Sequence, residues 1–155
     1  MEFNGQFIHT LDAKGRLNTP TRFKEAIKDS PEELFVLTKG AKCIVAYPYE
    51  TWQTILKQAA TLDTSRKNVK RYIRFFISAA QECNLDKAGR ILIPQTLREH
   101  AGLDKDILLA GMLSHFEIWD KARWDEDMAE IEKDFEDISE EVGQMFEDTG
   151  PSPVH

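Results

Sequence analysis

The sequence predicts an α+β fold made of two internal repeats, with short peripheral helices and one long helix at the C-terminus. Residues 11–17 read Leu-Asp-Ala-Lys-Gly-Arg-Leu and residues 85–91 read Leu-Asp-Lys-Ala-Gly-Arg-Ile, and a proline follows each segment, Pro20 and Pro94. The shared positions recur at one offset of 74 residues (11 to 85), which indicates that one small unit was duplicated and fused into a pseudo-dimer. The flanking residues alternate as in β-strands, whereas 120–146 repeats apolar residues at helical spacing.

The composition favours an ordinary globular protein without a metal or a cofactor. Hydrophobic residues make up 41% of the 155 residues, and no apolar run approaches the roughly 18 residues of a membrane span. The N-terminal segment lacks the features of a signal peptide, so we expect a cytoplasmic protein that does not enter a membrane. Cys43 and Cys83 are far apart in the sequence, and we expect buried thiols rather than a disulfide or metal ligands. We also expect no small-molecule substrate.

The charge is distributed unevenly along the chain. The net charge is −7, but residues 1–119 carry 17 Lys and Arg against 14 Asp and Glu, a net charge of +3. Residues 120–155 carry 3 against 13, a net charge of −10. Because attraction to DNA depends on the local field, the repeats can present a basic face although the whole chain is acidic.

Each repeated motif is predicted to be a tight loop between two strands, followed by a short helix. Gly15 and Gly89 lie where such a hairpin loop needs a left-handed backbone, which costs glycine little. The prolines after the motifs fit the first helical turn, and Thr19 is the predicted N-cap of the first helix. Gly102 is expected to end the second helix.

Two further strands follow in each repeat, and two helices join the repeats. The predicted strands are 34–37, 43–47, 107–109 and 116–119. The joining helices are predicted at 49–62 and about 65–79. The second of them carries five cations and no acidic residue, namely Arg66, Lys67, Lys70, Arg71 and Arg74. This basic face is either an ordinary solvated surface or part of an electropositive binding surface.

The C-terminal helix is predicted to be acidic and amphipathic. Its apolar residues follow a heptad spacing: Trp124, Met128, Ile131, Phe135, Ile138, Val142 and Met145. Its acidic flanks exclude it as a DNA-binding helix, and its apolar stripe must be covered by this chain or by a neighbouring subunit. The predicted division of the chain is repeat 1 at 6–52, linking helices at 53–79, repeat 2 at 80–124 and the C-terminal helix at 125–148.

The repeated aspartate, glycine and arginine suit an arginine that is held ready to bind. Across a hairpin loop the carboxylate can accept loop N–H groups and orient the guanidinium, which then loses less entropy on binding. An oriented arginine can donate to O6 and N7 of guanine in the major groove or clamp a phosphate, and a nearby lysine suits the phosphates. The candidate DNA-binding residues are Lys14, Arg16, Lys87 and Arg90. The candidate loop-orienting residues are Asp12, Gly15, Asp86 and Gly89.

Three other interpretations compete with DNA binding. The aspartate–arginine pairs could only brace the loops, but their duplication favours two symmetric contacts with a DNA groove. A two-carboxylate enzyme is disfavoured, because an arginine beside each aspartate lowers the pKa that a general acid needs raised. An oligomeric interaction scaffold, in which DNA binding is incidental, stays open as the alternative function.

These motifs resemble those of the MraZ family, bacterial transcriptional regulators made of two SpoVT/AbrB-type repeats. The resemblance rests on 11–17 with Pro20 and on 82–90 with Ile93 and Pro94, and it extends to 100–103 and 116–119. At the N-terminus the family's Phe-Arg-Gly is replaced by residues 3–5, Phe-Asn-Gly, so one cation is missing. The two loops also place their lysines differently, so equal contributions to binding are not expected.

The resemblance implies a fold, a partner and an assembly. The implied fold is a swapped-hairpin AbrB-type β-barrel built from the two repeats, with helices packed outside. The implied partner is double-stranded DNA, bound at short repeated G-containing boxes upstream of the division and cell-wall gene cluster, which includes the regulator's own gene. The implied assembly is a homo-oligomeric ring of several subunits, associated with the nucleoid, and multivalency would raise its affinity. The family's DNA-binding arginine corresponds to Arg16 and, in the second copy, to Arg90.

Overall fold

The computed structural model describes residues 2–149, which contain strands and helices in alternation. The strands are β1 (Gln6–Thr10), β2 (Arg16–Asn18), β3 (Leu34–Lys39), β4 (Ile44–Pro48), β5 (Gln81–Asn84), β6 (Arg90–Leu92), β7 (Asp106–Gly111) and β8 (Phe116–Asp120). The helices are α1 (Thr21–Glu25), α2 (Tyr49–Ala59), α3 (Lys67–Tyr72), α4 (Gln95–Ala101) and α5 (Lys121–Asp148), and a π-helical segment, Ile73–Ile77, continues α3. The predicted α+β class with a long C-terminal helix is confirmed.

The strands form two antiparallel sheets in which the repeats are interleaved. The larger sheet has the order β1-β7-β8-β4-β3-β5, and the smaller sheet is the pair β2–β6. The first strand of each repeat pairs with the third strand of the other repeat, as β1 with β7 and β5 with β3. The larger sheet has β1 and β5 at its edges, so its pairing does not close into the barrel that the family resemblance implies.

The strand register preserves the internal twofold relation. Thr10 lies opposite Asp106 in the β1–β7 pair, and the equivalent Asn84 lies opposite Leu34 in the β5–β3 pair. The two central pairs, β2–β6 and β4–β8, each join equivalent strands of the two repeats. The chain is therefore folded as a pseudo-dimer, as the repeat predicts.

The predicted hairpin around each motif is only partly correct. The loop closes as expected, since the Asp12 N–H donates to the Arg16 carbonyl at 3.0 Å and the Asp86 N–H donates to the Arg90 carbonyl at 2.9 Å. However, the strands on either side of a loop pair with the other repeat rather than with each other. This exchange allows both repeats to bury their apolar residues in one core, which a separate hairpin of each repeat would not achieve.

A cluster of phenylalanines lies at the centre of that core. Phe3, Phe23, Phe35 and Phe116 are each 0% exposed. The Phe23 and Phe116 rings stack with centroids 4.7 Å apart, and Phe3 meets Phe23 edge to face at 5.2 Å. Burial of one such side chain contributes about 1.5–3 kcal/mol, so these rings join both repeats into one cooperative body.

A second apolar cluster joins the linking helices to the larger sheet. Leu34, Val36 and Trp52 are buried there, and Phe76 of the π-helical segment packs against them. The Thr38 hydroxyl donates a hydrogen bond to the Phe76 carbonyl at 2.6 Å, which satisfies a carbonyl in the segment where the helical pattern changes.

Both short helices begin one residue later than predicted. Pro20 and Pro94 are themselves the N-cap residues, and α1 begins at Thr21. Thr19 is therefore not the N-cap, because its side chain is buried beside the β2–β6 pair rather than turned towards the helix N–H groups. Gly102 is left-handed with φ 60° and ends α4, as predicted. The predicted burial of the two cysteines is confirmed, since Cys43 and Cys83 both lie in the interior.

From Ala122 onward, α5 is a compact unit of its own. Its apolar stripe is exposed from the middle to the end, with Phe135 56% and Met145 53% exposed. Within residues 2–149, no helix is both long enough and apolar enough to cross a membrane.

Candidate nucleic-acid interface

The first loop holds its arginine with three hydrogen bonds to one carboxylate. Asp12 Oδ1 accepts the backbone N–H groups of Lys14 at 2.9 Å and Arg16 at 2.8 Å. Asp12 Oδ2 accepts Nε of Arg16 at 2.7 Å. Gly15 has φ 84°, a left-handed conformation that lets the loop turn this tightly. The carboxylate therefore fixes both the loop backbone and the guanidinium that the loop carries.

The second loop repeats this geometry atom for atom. Asp86 Oδ1 accepts the N–H groups of Ala88 and Arg90, each at 2.9 Å, and Oδ2 accepts Nε of Arg90 at 2.9 Å. Gly89 has φ 77°. Asp86 and Gly89 therefore make the same contacts and adopt the same backbone conformation as Asp12 and Gly15. In the part of the chain that the structure describes, neither arginine's Nη groups have an acceptor, so both remain available to a ligand.

These hydrogen bonds hold the carboxylates in the ionised form. The pKa of Asp12 falls from 3.8 to about 2, first because the Arg16 N–H donates to it and then because of the Arg16 side chain and the Lys14 N–H. The pKa of Asp86 is lowered for the same reasons, with the Arg90 N–H as the largest cause. Both aspartates are therefore anions across the physiological pH range, which is the state that orients an arginine and not the state of a general acid.

We expect an NMR titration to give Asp12 a carboxyl pKa of about 2. Because this value lies below the ordinary 3.8, Asp12 stabilises the folded loop above pH 3.8 and loses that effect as the pH falls through about 2. In Arg16→Ala the backbone N–H remains, so the pKa should rise but stay below 3.8. A pKa of 3.8 or above in the unmodified chain would contradict the loop geometry.

Two backbone hydrogen bonds tie the loops to each other across the repeats. The carbonyl of Gly15 accepts the N–H of Ile93 at 2.9 Å, and the carbonyl of Gly89 accepts the N–H of Thr19 at 3.1 Å. Together with the β2–β6 pairing they fix the position of one loop relative to the other. From strand geometry, the Cα atoms of the two arginines lie roughly 8 Å apart. The loops therefore form one rigid unit.

The β2–β6 pair presents four side chains on one outward face. Leu17 and Ile91 are opposite each other and buried, at 1% and 0% exposed. Because side chains alternate along strands, the residues on the outward face are Arg16, Asn18, Arg90 and Leu92. Leu92 lies opposite Arg16, and Asn18 lies opposite Arg90. The repeated motif does not point to Asn18 and Leu92, although the alternation of side chains in residues 16–18 and 90–92 places them beside the arginines.

A cationic side chain from the other repeat lies close to the glycine of each loop. A methyl group built on Gly15 would lie 2.7 Å from Cζ of Arg98, and one built on Gly89 would lie 2.8 Å from Nζ of Lys24. The positions of Lys24 and Arg98 differ by 74 residues, so this close approach is reciprocal between the repeats. Sequence reasoning missed both residues, because only the interleaving of the repeats brings each one to the opposite loop.

The lysines of the two loops are exposed but do not occupy equivalent positions. Lys14 corresponds to Ala88, and Lys87 corresponds to Ala13. The Lys14 backbone N–H donates to the orienting carboxylate in the first loop, and the Ala88 N–H does so in the second. The two loops therefore carry their lysine side chains at different positions of the motif.

The fold and this site define a class of protein: duplicated α+β proteins whose two interleaved repeats display paired arginine loops. The sequence matches the family model described as "MraZ protein, putative antitoxin-like" twice, at residues 3–75 and 76–146. The chain belongs to the MraZ family. The two matches cover both repeats and most of α5.

Curated relatives support this membership over most of the chain. A protein named "Transcriptional regulator MraZ" from Syntrophobacter fumaroxidans is 47% identical over 123 residues, which is 79% of this chain and 82% of the relative. Proteins of the same name are 43% identical in Lactiplantibacillus plantarum, covering 90% of this chain and 97% of the relative, and 40% identical in Desulforamulus reducens, covering 93% and 99%. These names describe regulators, so the family is not one of enzymes.

Proposed function

We propose that this protein is a sequence-specific, double-stranded DNA-binding transcriptional regulator that contacts DNA through its two Asp-x-x-Gly-Arg loops. Its targets are proposed to be repeated short G-containing boxes upstream of the division and cell-wall gene cluster, including its own gene. The names of the relatives support a regulator. The observation that carries the proposal is the outward face of β2–β6, on which two guanidinium groups are each oriented by a carboxylate.

A two-stranded ribbon of this kind matches the dimensions of DNA. The major groove is about 12 Å wide and admits a two-stranded β-ribbon. In that groove an arginine can donate two hydrogen bonds to O6 and N7 of one guanine. Asp12 uses only Nε of Arg16, so the two Nη groups can form these hydrogen bonds without breaking the loop. Asp86 leaves Arg90 in the same state. The two loops then read guanines within one short box.

Asn18 and Leu92, each opposite one of the arginines, make the two halves of the ribbon chemically different. Asn18 offers an amide that pairs well with adenine, whereas Leu92 offers an apolar surface for the methyl group of thymine. Lys14 and Lys87 add phosphate contacts at non-equivalent points of their loops. The proposed box is therefore not a perfect palindrome, although the backbone that reads it has internal twofold symmetry.

Several further features belong to the same proposal. The protein acts in the cytoplasm at the nucleoid, and its copies form a ring in which several subunits each bind one box. The exchange of strands between repeats supports the swapped-hairpin description of the fold. We retain the division into repeats at 6–52 and 80–124, linking helices at 53–79 and a C-terminal helix at 125–148.

Selection of genomic DNA fragments by the purified full-length protein tests the proposed function. We expect enrichment of fragments that carry several copies of one short box containing guanine, including the region upstream of the protein's own gene. Binding should weaken steeply as salt increases, because phosphate contacts release counterions. Enrichment of unrelated fragments in proportion to length alone would refute sequence-specific binding.

A second candidate function is an oligomeric interaction scaffold for which DNA binding is incidental. The exposed apolar stripe of α5 favours it, because such a stripe needs a partner. The selection experiment separates the two candidates. No enriched box together with stable self-association would favour the scaffold.

A further inference from the structure

An apolar cleft of about 570 Å³ opens between α2 and the helix formed by α3 and the π-helical segment. Its lining is mainly aliphatic and aromatic, with Tyr47, Ile55, Leu62, Val69, Tyr72 and Phe76 as the main contributors. Leu62 is 41% exposed and Tyr72 is 43% exposed. An apolar surface of this shape is typical of a groove that receives an amphipathic helix.

The α5 helix carries a side-chain pattern that suits such a groove. Ile131, Phe135, Ile138, Val142 and Met145 follow the spacing 4, 3, 4, 3 and are all at least 36% exposed in the single chain. At about 1.5 Å per residue, the eight residues from Phe135 to Val142 span roughly 11 Å. The lining of the cleft on α3 and the π-helical segment runs from Asn68 to Phe76, nine residues and roughly 12 Å on the same basis. Phe135, Ile138 and Val142 therefore match the length of the cleft.

The helices that carry the stripe and one wall of the cleft have opposite charges. Residues 129–149 contain nine acidic residues and one basic residue, Lys133. The helix that forms one wall of the cleft carries the five cations Arg66, Lys67, Lys70, Arg71 and Arg74 with no acidic residue. None of these five forms an ion pair with a carboxylate within residues 2–149. Association of the two helices would reduce the repulsion among the acidic side chains of α5. It would also pair charges that are solvated in the single chain.

We propose that α5 of one copy of this protein docks its apolar stripe into the α2–α3 cleft of a second copy. This inference rests on the self-association in the proposed function and not on DNA binding. Pairing of two α5 helices is disfavoured, because it brings two strongly acidic helices together. Since the cleft and the stripe are different surfaces, the contact is heterologous and repeats from copy to copy until a ring closes.

A complementation experiment with two full-length variants tests this contact. Phe135→Asp adds a charge to the stripe and leaves the cleft intact, whereas Leu62→Asp adds a charge to the cleft and leaves the stripe intact. Both residues are exposed, so both variants should fold, and circular dichroism checks this. Each variant alone should need at least tenfold higher concentration than the unmodified protein to assemble, as measured by light scattering. An equimolar mixture should form a 1:1 complex.

Gln144→Asp is the matched control, because it adds the same charge on the opposite face of α5 and should assemble normally. Failure of the mixture to associate would overturn the contact, and so would normal assembly of Leu62→Asp, which would indicate pairing between α5 helices. If the unmodified chain is a monomer, both this contact and the proposed ring are refuted. If it assembles but both variants assemble equally well, only this contact is refuted and the proposed oligomer stands.

Discussion

Replacement of Arg16 with alanine should weaken binding to the selected box by about 1–3 kcal/mol, roughly 5- to 150-fold, in a mobility-shift assay. The reason is that the Arg16 side chain supplies one of the two guanidinium groups on the outward face of the β2–β6 pair. Arg90→Ala should have an effect of the same kind, and the double variant should lose nearly all specific binding. The fold should survive, because Asp12 retains its hydrogen bonds from the loop backbone in Arg16→Ala.

One further variant shows whether Arg16 acts through a bidentate contact or only through its charge, and a second variant is a control outside the loops. Arg16→Lys keeps the positive charge but cannot form the bidentate contact, so it should lose affinity for the box while retaining affinity for unrelated DNA. Lys57→Ala removes an exposed cation from α2, outside the loops, and should bind the box within twofold of the unmodified protein. Unchanged box affinity in Arg16→Ala, with a lower melting temperature, would mean that the Asp12–Arg16 pair only braces the loop.

Replacement of Gly111 with alanine should lower the free energy of unfolding by about 3 kcal/mol, since it forces backbone apart at the edge of the core. A methyl group at Gly111 would lie 2.4 Å from N of Asn4 and 2.5 Å from C of Phe3. The Phe3 backbone is held by two hydrogen bonds to Leu113 at 2.7 and 2.8 Å, and its ring is fully buried. The segment cannot move away without withdrawing that ring from the phenylalanine cluster.

Thermal or urea unfolding measures this effect, and a drop in melting temperature of roughly 6–12 °C is expected for a chain of this size. Gly143→Ala is the matched control, because nothing lies within 4 Å of a methyl group at Gly143 in α5. Alanine favours a helix over glycine by about 1 kcal/mol, so this variant should be as stable as the unmodified protein or slightly more stable. Equal stability of the two variants would contradict the close approach at Gly111.

The repeated motif was sufficient to predict the arginine loops, because their geometry is local. Five consecutive residues contain the carboxylate, the left-handed glycine and the guanidinium, so Asp12 and Arg16 could be assigned from sequence. The partners of β1 and β2 could not, because a strand of three to five residues carries no information about which of several apolar strands it pairs with. Lys24 and Arg98 could not be assigned from sequence for the same reason, since their proximity to the loops depends on how the strands of the two repeats pair.

The N-cap prediction failed for a different reason. Thr19 has the chemistry of a cap, but its position in the β2–β6 region buries it, and Pro20 takes the cap position instead. Local propensity was overridden by packing against the other repeat. In contrast, the spacing of the apolar residues correctly predicts α5 as one long helix with an apolar stripe, because helical periodicity is a local property of the sequence.

The fusion of two interleaved copies into one polypeptide has an evolutionary consequence at residues 18 and 92. In a dimer of identical chains, every substitution appears twice, and such a dimer is confined to inverted-repeat operators. Here Asn18 and Leu92 occupy equivalent places and differ, while Gly15 and Gly89 are still joined to the opposite copy by the same hydrogen bonds. The two halves can therefore differ at their outward side chains while the backbone keeps its internal symmetry, and under the proposed function this difference would give the bound subunit one direction along the DNA.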